Sequence, residues 1–268
     1  MDTFSLLSLN TFGLPFFLGW WRLGRLAGEI ERLSYDLLCL QEIQQNAYVP
    51  LMLNKLPGYS SHAYELNLFA PKGGLLTLAR LPLESQQFVP YNDRGRLWSV
   101  GFADWALLKG VLAVRAQIGA HRVVVMNTHL HANYAGAWTA NNRLANTQRN
   151  QVRHLAAQVR SQPEDVLVIV CGDFNFPRST FLYEELIAES GLTDPLAEDP
   201  RPTYRPFAMV PSKWSVPLDF LLVRVPVNDP VELKADILTV EFSRARSQLG
   251  RFLTDHCALT LKIEWPAS

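Results

Sequence analysis

Apolar runs that end abruptly in polar residues recur along this chain, and they define most of its predicted elements. Thr3 to Leu9 alternates well enough for a strand that ends at Asn10. Leu23, Leu26, Ile30 and Leu33 share one face at helical spacing and predict an amphipathic helix over 22–33. Asp36 to Leu40 is a short apolar strand running into Gln41 and Glu42, and Gly74 to Leu78 is another. VLAVRAQI and RVVVMNTHLH, joined by a turn at Gly119 to His121, predict an antiparallel hairpin. Asn141 to Arg160 is polar, with Leu144, Val152, Leu155 and Val159 giving a surface helix its buried stripe. Val166 to Val170 is continuously apolar and mostly β-branched, the mark of a strand buried on both faces, and it empties into Gly172, Asp173 and Asn175. Side-chain alternation would aim Asp173 and Asn175 the same way. Ser179 or Thr180 caps a helix that Gly191 stops, and LDFLLVR and CALTLKIEW are the last two strands.

Breakers separate these elements. Gly13, Pro15 and Gly19 predict that TFGLPFFLGWW is a loop, and Tyr91 to Trp105 and Thr193 to Pro217 are mostly loop. At least six strands and about three helices, hairpins together with crossovers, and no flexible linker predict one domain over residues 1–268. Its expected architecture is α/β: two mixed β-sheets packed face to face in a sandwich with helices on the outside.

Composition narrows the function. With 268 residues, 48% of them hydrophobic, the chain can bury a large core. Lys plus Arg equals Asp plus Glu at 25 each, so there is no cationic surplus of the kind that neutralises a nucleic-acid backbone, and nucleic acid is an unlikely partner. Cys39, Cys171 and Cys257 lie in or beside predicted strands with no CxxC spacing, which suits buried, reduced thiols. No basic leader precedes the first strand and no apolar run spans a bilayer. The expected location is cytoplasmic. The aromatic loop either tucks against the core or presents Phe16, Phe17, Trp20 and Trp21 to a membrane surface, where Trp is favoured.

Collected in order, the polar residues at strand ends are Asn10, Glu42, His129, Asp173 with Asn175, Asp219, and Asp255 with His256. Singly, each has an ordinary reading as a turn or cap residue. Together they stand where loops carry functional groups on a rigid scaffold.

LSLNTFG, CLQEI, NTHLHANY, CGDFNFP, PLDFLL and LTDHCAL resemble the ordered motifs of the endonuclease/exonuclease/phosphatase superfamily of metal-dependent phosphoesterases. Within it the chain is most similar to the neutral sphingomyelinases: THLHANY resembles that family's THLHAEY segment, and ADWALLKG keeps an Asp-Trp followed by a Lys, here Asp104, Trp105 and Lys109. Pro217 and Leu218 stand where many relatives carry Arg-Ile, and Cys257 stands where sphingomyelinases often have Glu.

The resemblance implies a four-layer fold like that of deoxyribonuclease I and a Mg²⁺-dependent phosphodiesterase, with Mn²⁺ as a substitute. Glu42 would hold the cation, Asp255 would be a second ligand, and Asn10 would orient the metal's waters or the phosphate. Asp173 would activate the attacking water, with His256 as the alternative base, and Asn175, His129 and His256 would contact phosphoryl oxygens. Asp219 would fix the tautomer of His256. Asp104 and Lys109 are either a surface ion pair or a regulatory substrate loop. The expected substrate is a phospholipid at a membrane surface. The alternatives are a nuclease or small-molecule phosphatase of the same fold, and a non-catalytic scaffold.

Overall fold

In the computed structural model, which describes residues 2–15, 18–95, 105–205, 215–239 and 252–266, eleven strands form two sheets. The six-stranded sheet has the order β10-β11-β1-β2-β4-β3, built from β1 (Thr3–Gly13), β2 (Leu37–Ile43), β3 (Ser61–Ala63), β4 (Leu76–Ala79), β10 (Glu232–Leu238) and β11 (Ala258–Glu264). The five-stranded sheet has the order β5-β6-β7-β8-β9, built from β5 (Ser85–Pro90), β6 (Gly110–Ile118), β7 (His121–His129), β8 (Leu167–Asp173) and β9 (Asp219–Arg224). Both sheets are mixed. β1 pairs parallel with β2 and antiparallel with β11, and β8 pairs parallel with β7 and antiparallel with β9. The expected β6–β7 hairpin is present.

Period-two patterning explains the layers. On β8, Leu167, Ile169 and Cys171 join residues of both sheets in the central core, while Val168 and Val170 pack outward. The outward set meets α3 (Arg143–Arg160) and α4 (Phe181–Ser190) through Val152, Leu155, Leu182 and Leu186. On the other side, Leu7, Leu9, Leu38 and Leu40 face α1 (Gly19–Leu33) and α2 (Tyr48–Lys55) through Leu23, Leu26, Ile30 and Met52. The result is a helix–sheet–sheet–helix sandwich, and all three cysteines are free and buried in its centre.

Some boundaries depart from the sequence expectation. β1 continues past Asn10 to Gly13, and α1 starts at Gly19, so Trp20 and Trp21 lie in the first helical turn and not in a loop. The helix α2, YVPLMLNK, has no sequence counterpart above; its Pro50 is tolerated because first-turn N–H groups have no intrahelical acceptor. β5 and β10 also escaped the pattern. Both are edge strands with largely exposed or half-exposed residues, so neither needs a continuous apolar face.

Two glycines permit close approaches next to the site. A Cβ on Gly172, whose φ is 143°, would stand 1.8 Å from the carbonyl oxygen of Thr128, and one on Gly13 would stand 1.8 Å from that of Glu42.

Candidate active site

The inward rows of neighbouring strands turn from apolar to polar at one end of the central core. Asp173 continues the row of Leu167, Ile169 and Cys171; His129 continues that of Val123 and Val125; and Asp219 begins that of Leu221 and Val223. The ladder sets His129 beside Asp173 and Asp173 beside Asp219. From the facing sheet, Asn10 lies on the row of Phe4 and Leu6. Glu42 does not follow alternation. Its φ of 58° and the register shift of β1 on β2 between Asn10 and Gly13 turn it toward the seam, with bare Gly13 leaving the room.

The side chains converge on Asp173. Asn10 Nδ2 donates to Asp173 Oδ2 at 2.9 Å and to Glu42 Oε1 at 3.1 Å. His129 Nε2 and His256 Nε2 stand 3.5 and 3.8 Å from the same Asp173 oxygen. His256 Nδ1 donates to Asp219 Oδ2 at 2.8 Å. The segment carrying Asp255 and His256 is tied down by Thr254, whose hydroxyl donates to the Asn10 carbonyl at 2.7 Å. Buried Arg22 bridges the same two regions, donating to the carbonyls of Thr11, Phe12 and Leu253. All the sequence-predicted catalytic and metal-binding candidates are therefore within one neighbourhood. Asn10 and Asp219 stand behind the cleft, and Glu42, His129, Asp173, Asn175, Asp255 and His256 line it.

Asn175 reaches the cleft by a different route from the one expected. β8 ends at Asp173, and Asn175 takes a left-handed φ of 56°; its N–H donates to Asp173 Oδ1 at 2.9 Å and its side chain to the Leu130 carbonyl at 3.1 Å. A turn directs it, and strand alternation does not.

Burial shapes the protonation of the cluster. It raises the Glu42 carboxyl above its ordinary range, against the Asn10 hydrogen bond. It pushes Asp173 up to about 6, with the Asp219 charge adding to the rise, and it pushes Asp255 up to about 6, with Glu42 adding. The two histidines diverge. Burial drives His129 well below its ordinary value, and the Lys109 and His256 charges push the same way. Burial would also lower His256, but Asp219, Asp173 and Asp255 outweigh it and lift it well above the ordinary value. One imidazole is thus held neutral and the other cationic.

Lys109 is fully buried, which overturns its reading as half of a surface ion pair. Its charge acts on Glu42, His129 and Asp173. Asp104, Phe16 and Phe17 lie outside the described residues. Trp20 and Trp21 are 55% and 40% exposed, which favours the outward reading over burial against the core. Trp20 lies 6.2 Å from the Tyr48 ring. Two residues before Tyr48, Asn46 donates from its backbone N–H to the Phe69 carbonyl and from its side chain to the Asn67 and Leu68 carbonyls, holding the loop of Leu68 and Phe69, each 76% exposed.

The cleft is about 360 Å³. Phe12, Leu14, Leu107, Tyr134, Trp138, Tyr204 and Leu218 give it an apolar and aromatic wall. Of these, Trp138 and Tyr204 carried no signal in the sequence. Tyr204, in the Pro-rich stretch, comes within 5.2 Å of the His256 ring only because Tyr204 and His256 form an isolated bridge.

The model of the endonuclease/exonuclease/phosphatase family matches residues 7–256, a span that includes Asn10, Glu42, His129, Asp173, Asn175, Asp219, Asp255 and His256. The chain belongs to this family. It is 25% identical over 198 residues to a putative neutral sphingomyelinase of Drosophila melanogaster, covering 73% of this chain and 44% of that protein, so the chain spans less than half the length of this curated relative. Among solved structures, sphingomyelinase C from Streptomyces griseocarneus superposes with a TM-score of 0.76 at 20% identity, covering 98% of this chain and 99% of that one. D. rerio TDP2 complexed with single strand DNA product gives 0.72 at 16% identity, covering 98% and 100%. These likenesses establish the sandwich fold.

Proposed function

We propose that this protein is a divalent-cation-dependent phosphodiesterase whose substrate is a phospholipid head group, with sphingomyelin hydrolysed to ceramide and phosphocholine. The carrying observation is the convergence of Asn10, His129 and His256 on the single buried oxygen Asp173 Oδ2.

The residues fit a hard cation. Ligand atoms of Glu42, His129 and Asp173 lie within 4.8 Å of one another, and Asp255 Oδ1 is buried with no hydrogen-bond partner among the described residues. Carboxylate oxygens in this number suit Mg²⁺, with Mn²⁺ as a substitute, and Glu42 and Asp255 would hold it. When bound, the cation supplies charge neutralisation at phosphoryl oxygens.

The remaining work falls to the chain's own groups. Asp173, raised toward neutral pH and steadied by Asn10, would take the proton of the attacking water. His256, cationic through Asp219, is a hydrogen-bond donor to the phosphate, which favours Asp173 over His256 as the base. His129 and Asn175 border the same cleft and would contact the phosphate. Lys109, buried beneath them, adds a positive charge to the acidic cluster. A scaffold would have no physical need of so many buried, mutually perturbed groups.

The lipid assignment rests on the apolar cleft wall and on exposed Trp20, Trp21, Leu68 and Phe69. Similarity to TDP2 bound to a DNA product supports a second reading, cleavage of a nucleic-acid phosphodiester. Product release from sphingomyelin, phosphatidylcholine and a DNA duplex, each with Mg²⁺ and with EDTA, separates them. Mg²⁺-dependent phosphocholine release is expected, and cleavage of DNA alone would refute the lipid reading.

A further inference from the structure

Outside the acidic cluster, one face of α3 reaches two loops that border the cleft, at His131 and Asn175, and a third at Asp93. Gln148, fully buried, uses Nε2 to donate to the Asn175 carbonyl and to the His131 carbonyl, each at 2.9 Å. Three residues on, hence on the same helix face, Gln151 accepts the His131 N–H at 2.9 Å and donates to the Asp93 carbonyl at 2.9 Å. Trp138 Nε1 adds a second donor to the Asn175 carbonyl at 3.2 Å. The helix is itself fixed. Asn142 caps it by accepting from Leu144 and Ala145, and Val152 and Leu155 anchor it on the sheet.

Asn175 needs such support. It sits at φ 56°, a left-handed conformation that Asn adopts more readily than other non-glycine residues but still at a cost, and the two bonds to its carbonyl help to hold it there. If its carbonyl were released, rotation toward an ordinary backbone conformation would carry the side chain out of the cleft and pull its N–H from Asp173 Oδ1. Gln148 also bears a cost that the fold alone does not require: its Oε1 is buried with no partner among the described residues. Packing would be served as well by an apolar side chain of the same size.

We infer that Gln148 is a positioning residue for phosphodiester hydrolysis, acting through Asn175 by holding its backbone carbonyl so that its amide stays at the cleft. The inference rests on the proposed reaction and concerns which residue aims one of its groups.

The test is a double-mutant cycle on hydrolysis of bis(4-nitrophenyl) phosphate, a soluble diester that any phosphodiesterase reading allows. Gln148→Met is close in size and lacks the N–H donor. It should lower kcat about tenfold or more with KM changed less than about twofold. In an Asn175→Ala background the same substitution should lower kcat by less than about twofold, because the group it aims is gone. Gln148→Glu, which turns an oxygen toward two carbonyls, should be at least as damaging as Gln148→Met. Equal rates for Gln148→Met and wild type, or losses that multiply in the double variant, would overturn the inference and leave the reaction standing. A wild-type protein that turns over no phosphodiester with Mg²⁺ would remove both. If circular dichroism shows Gln148→Met unfolded, Trp138→Phe removes the other donor to the same carbonyl. Its loss in kcat should likewise shrink in the Asn175→Ala background, and multiplicative losses would overturn the inference.

Discussion

His256 donates from Nδ1 to Asp219 Oδ2 at 2.8 Å, with both side chains about 95% or more buried, so only Nε2 of the imidazole is left for the cleft. Asp219 thereby orients the ring, and together with Asp173 and Asp255 it outweighs the burial that would strip the ring of its charge. Strand register sets Asp219 opposite Asp173 at the start of β9, and His256 reaches it from just before β11 of the other sheet.

Asp219→Asn keeps the shape but withdraws the anion. The kcat for diester hydrolysis should fall by about 100-fold or more, while KM changes little, because the lost interaction is with His256, the group proposed to act on the reacting phosphate. Steady-state kinetics with a soluble diester check this. Activity within about threefold of wild type would show that the pair is structural only.

Membrane contact should be separable from chemistry. Trp20→Ala with Trp21→Ala, or Leu68→Glu with Phe69→Glu, removes exposed apolar surface that lies outside the set lining the cleft. Co-sedimentation with sphingomyelin-containing vesicles should weaken about tenfold for either pair, with hydrolysis of the soluble diester unchanged. Unaltered vesicle binding in both variants would reject the docking role.

Outside the set of residues that line the cleft, Glu185 links α4 to α3 through Arg149 at 2.7 Å and Arg153 at 2.6 Å. Burial pushes the Glu185 carboxyl up, but the hydrogen bonds from the two guanidiniums win and hold it below its ordinary 4.5. The folded protein therefore binds this proton less readily than the unfolded chain, so the stabilisation is present above pH 4.5 and fades as pH falls through the lowered value. Glu185→Gln should lower Tm by about 2–4 °C at pH 7, with the difference shrinking below pH 4.5. Thermal melts across pH 3.5 to 7 measure it, and a difference that grows on acidification would contradict the pairing.

Much of the site was legible because a strand's period carries direction as well as burial. Asp173, His129 and Asp219 extend inward rows, so a reader of alternating residues finds them side by side. Glu42 was legible as a residue type, but its direction was not, since the left-handed φ and the adjacent Gly13 are backbone features that no apolar pattern encodes. Strand alternation does not account for Asn175, which lies past the strand's end and is aimed by a turn. Gln148, Trp138 and Tyr204 act across distant segments, and a polar or aromatic residue at such a place looks in sequence like any other on a helix face or loop. The edge strands β5 and β10 were missed for the converse reason, having too little buried surface to impose a pattern.

Glu42 and its buried neighbours are proposed to form a cation-dependent phosphodiester-cleaving centre. Titrating Mg²⁺ into chelator-treated wild type and Glu42→Gln, while following phosphocholine release from sphingomyelin vesicles, addresses it most directly. Wild type should show a saturable rise in rate and no turnover in EDTA, and Glu42→Gln a Mg²⁺ requirement raised about tenfold or more with a rate lowered at least about 100-fold. Turnover that persists in EDTA, or a Glu42→Gln variant with the Mg²⁺ response of wild type, would contradict it.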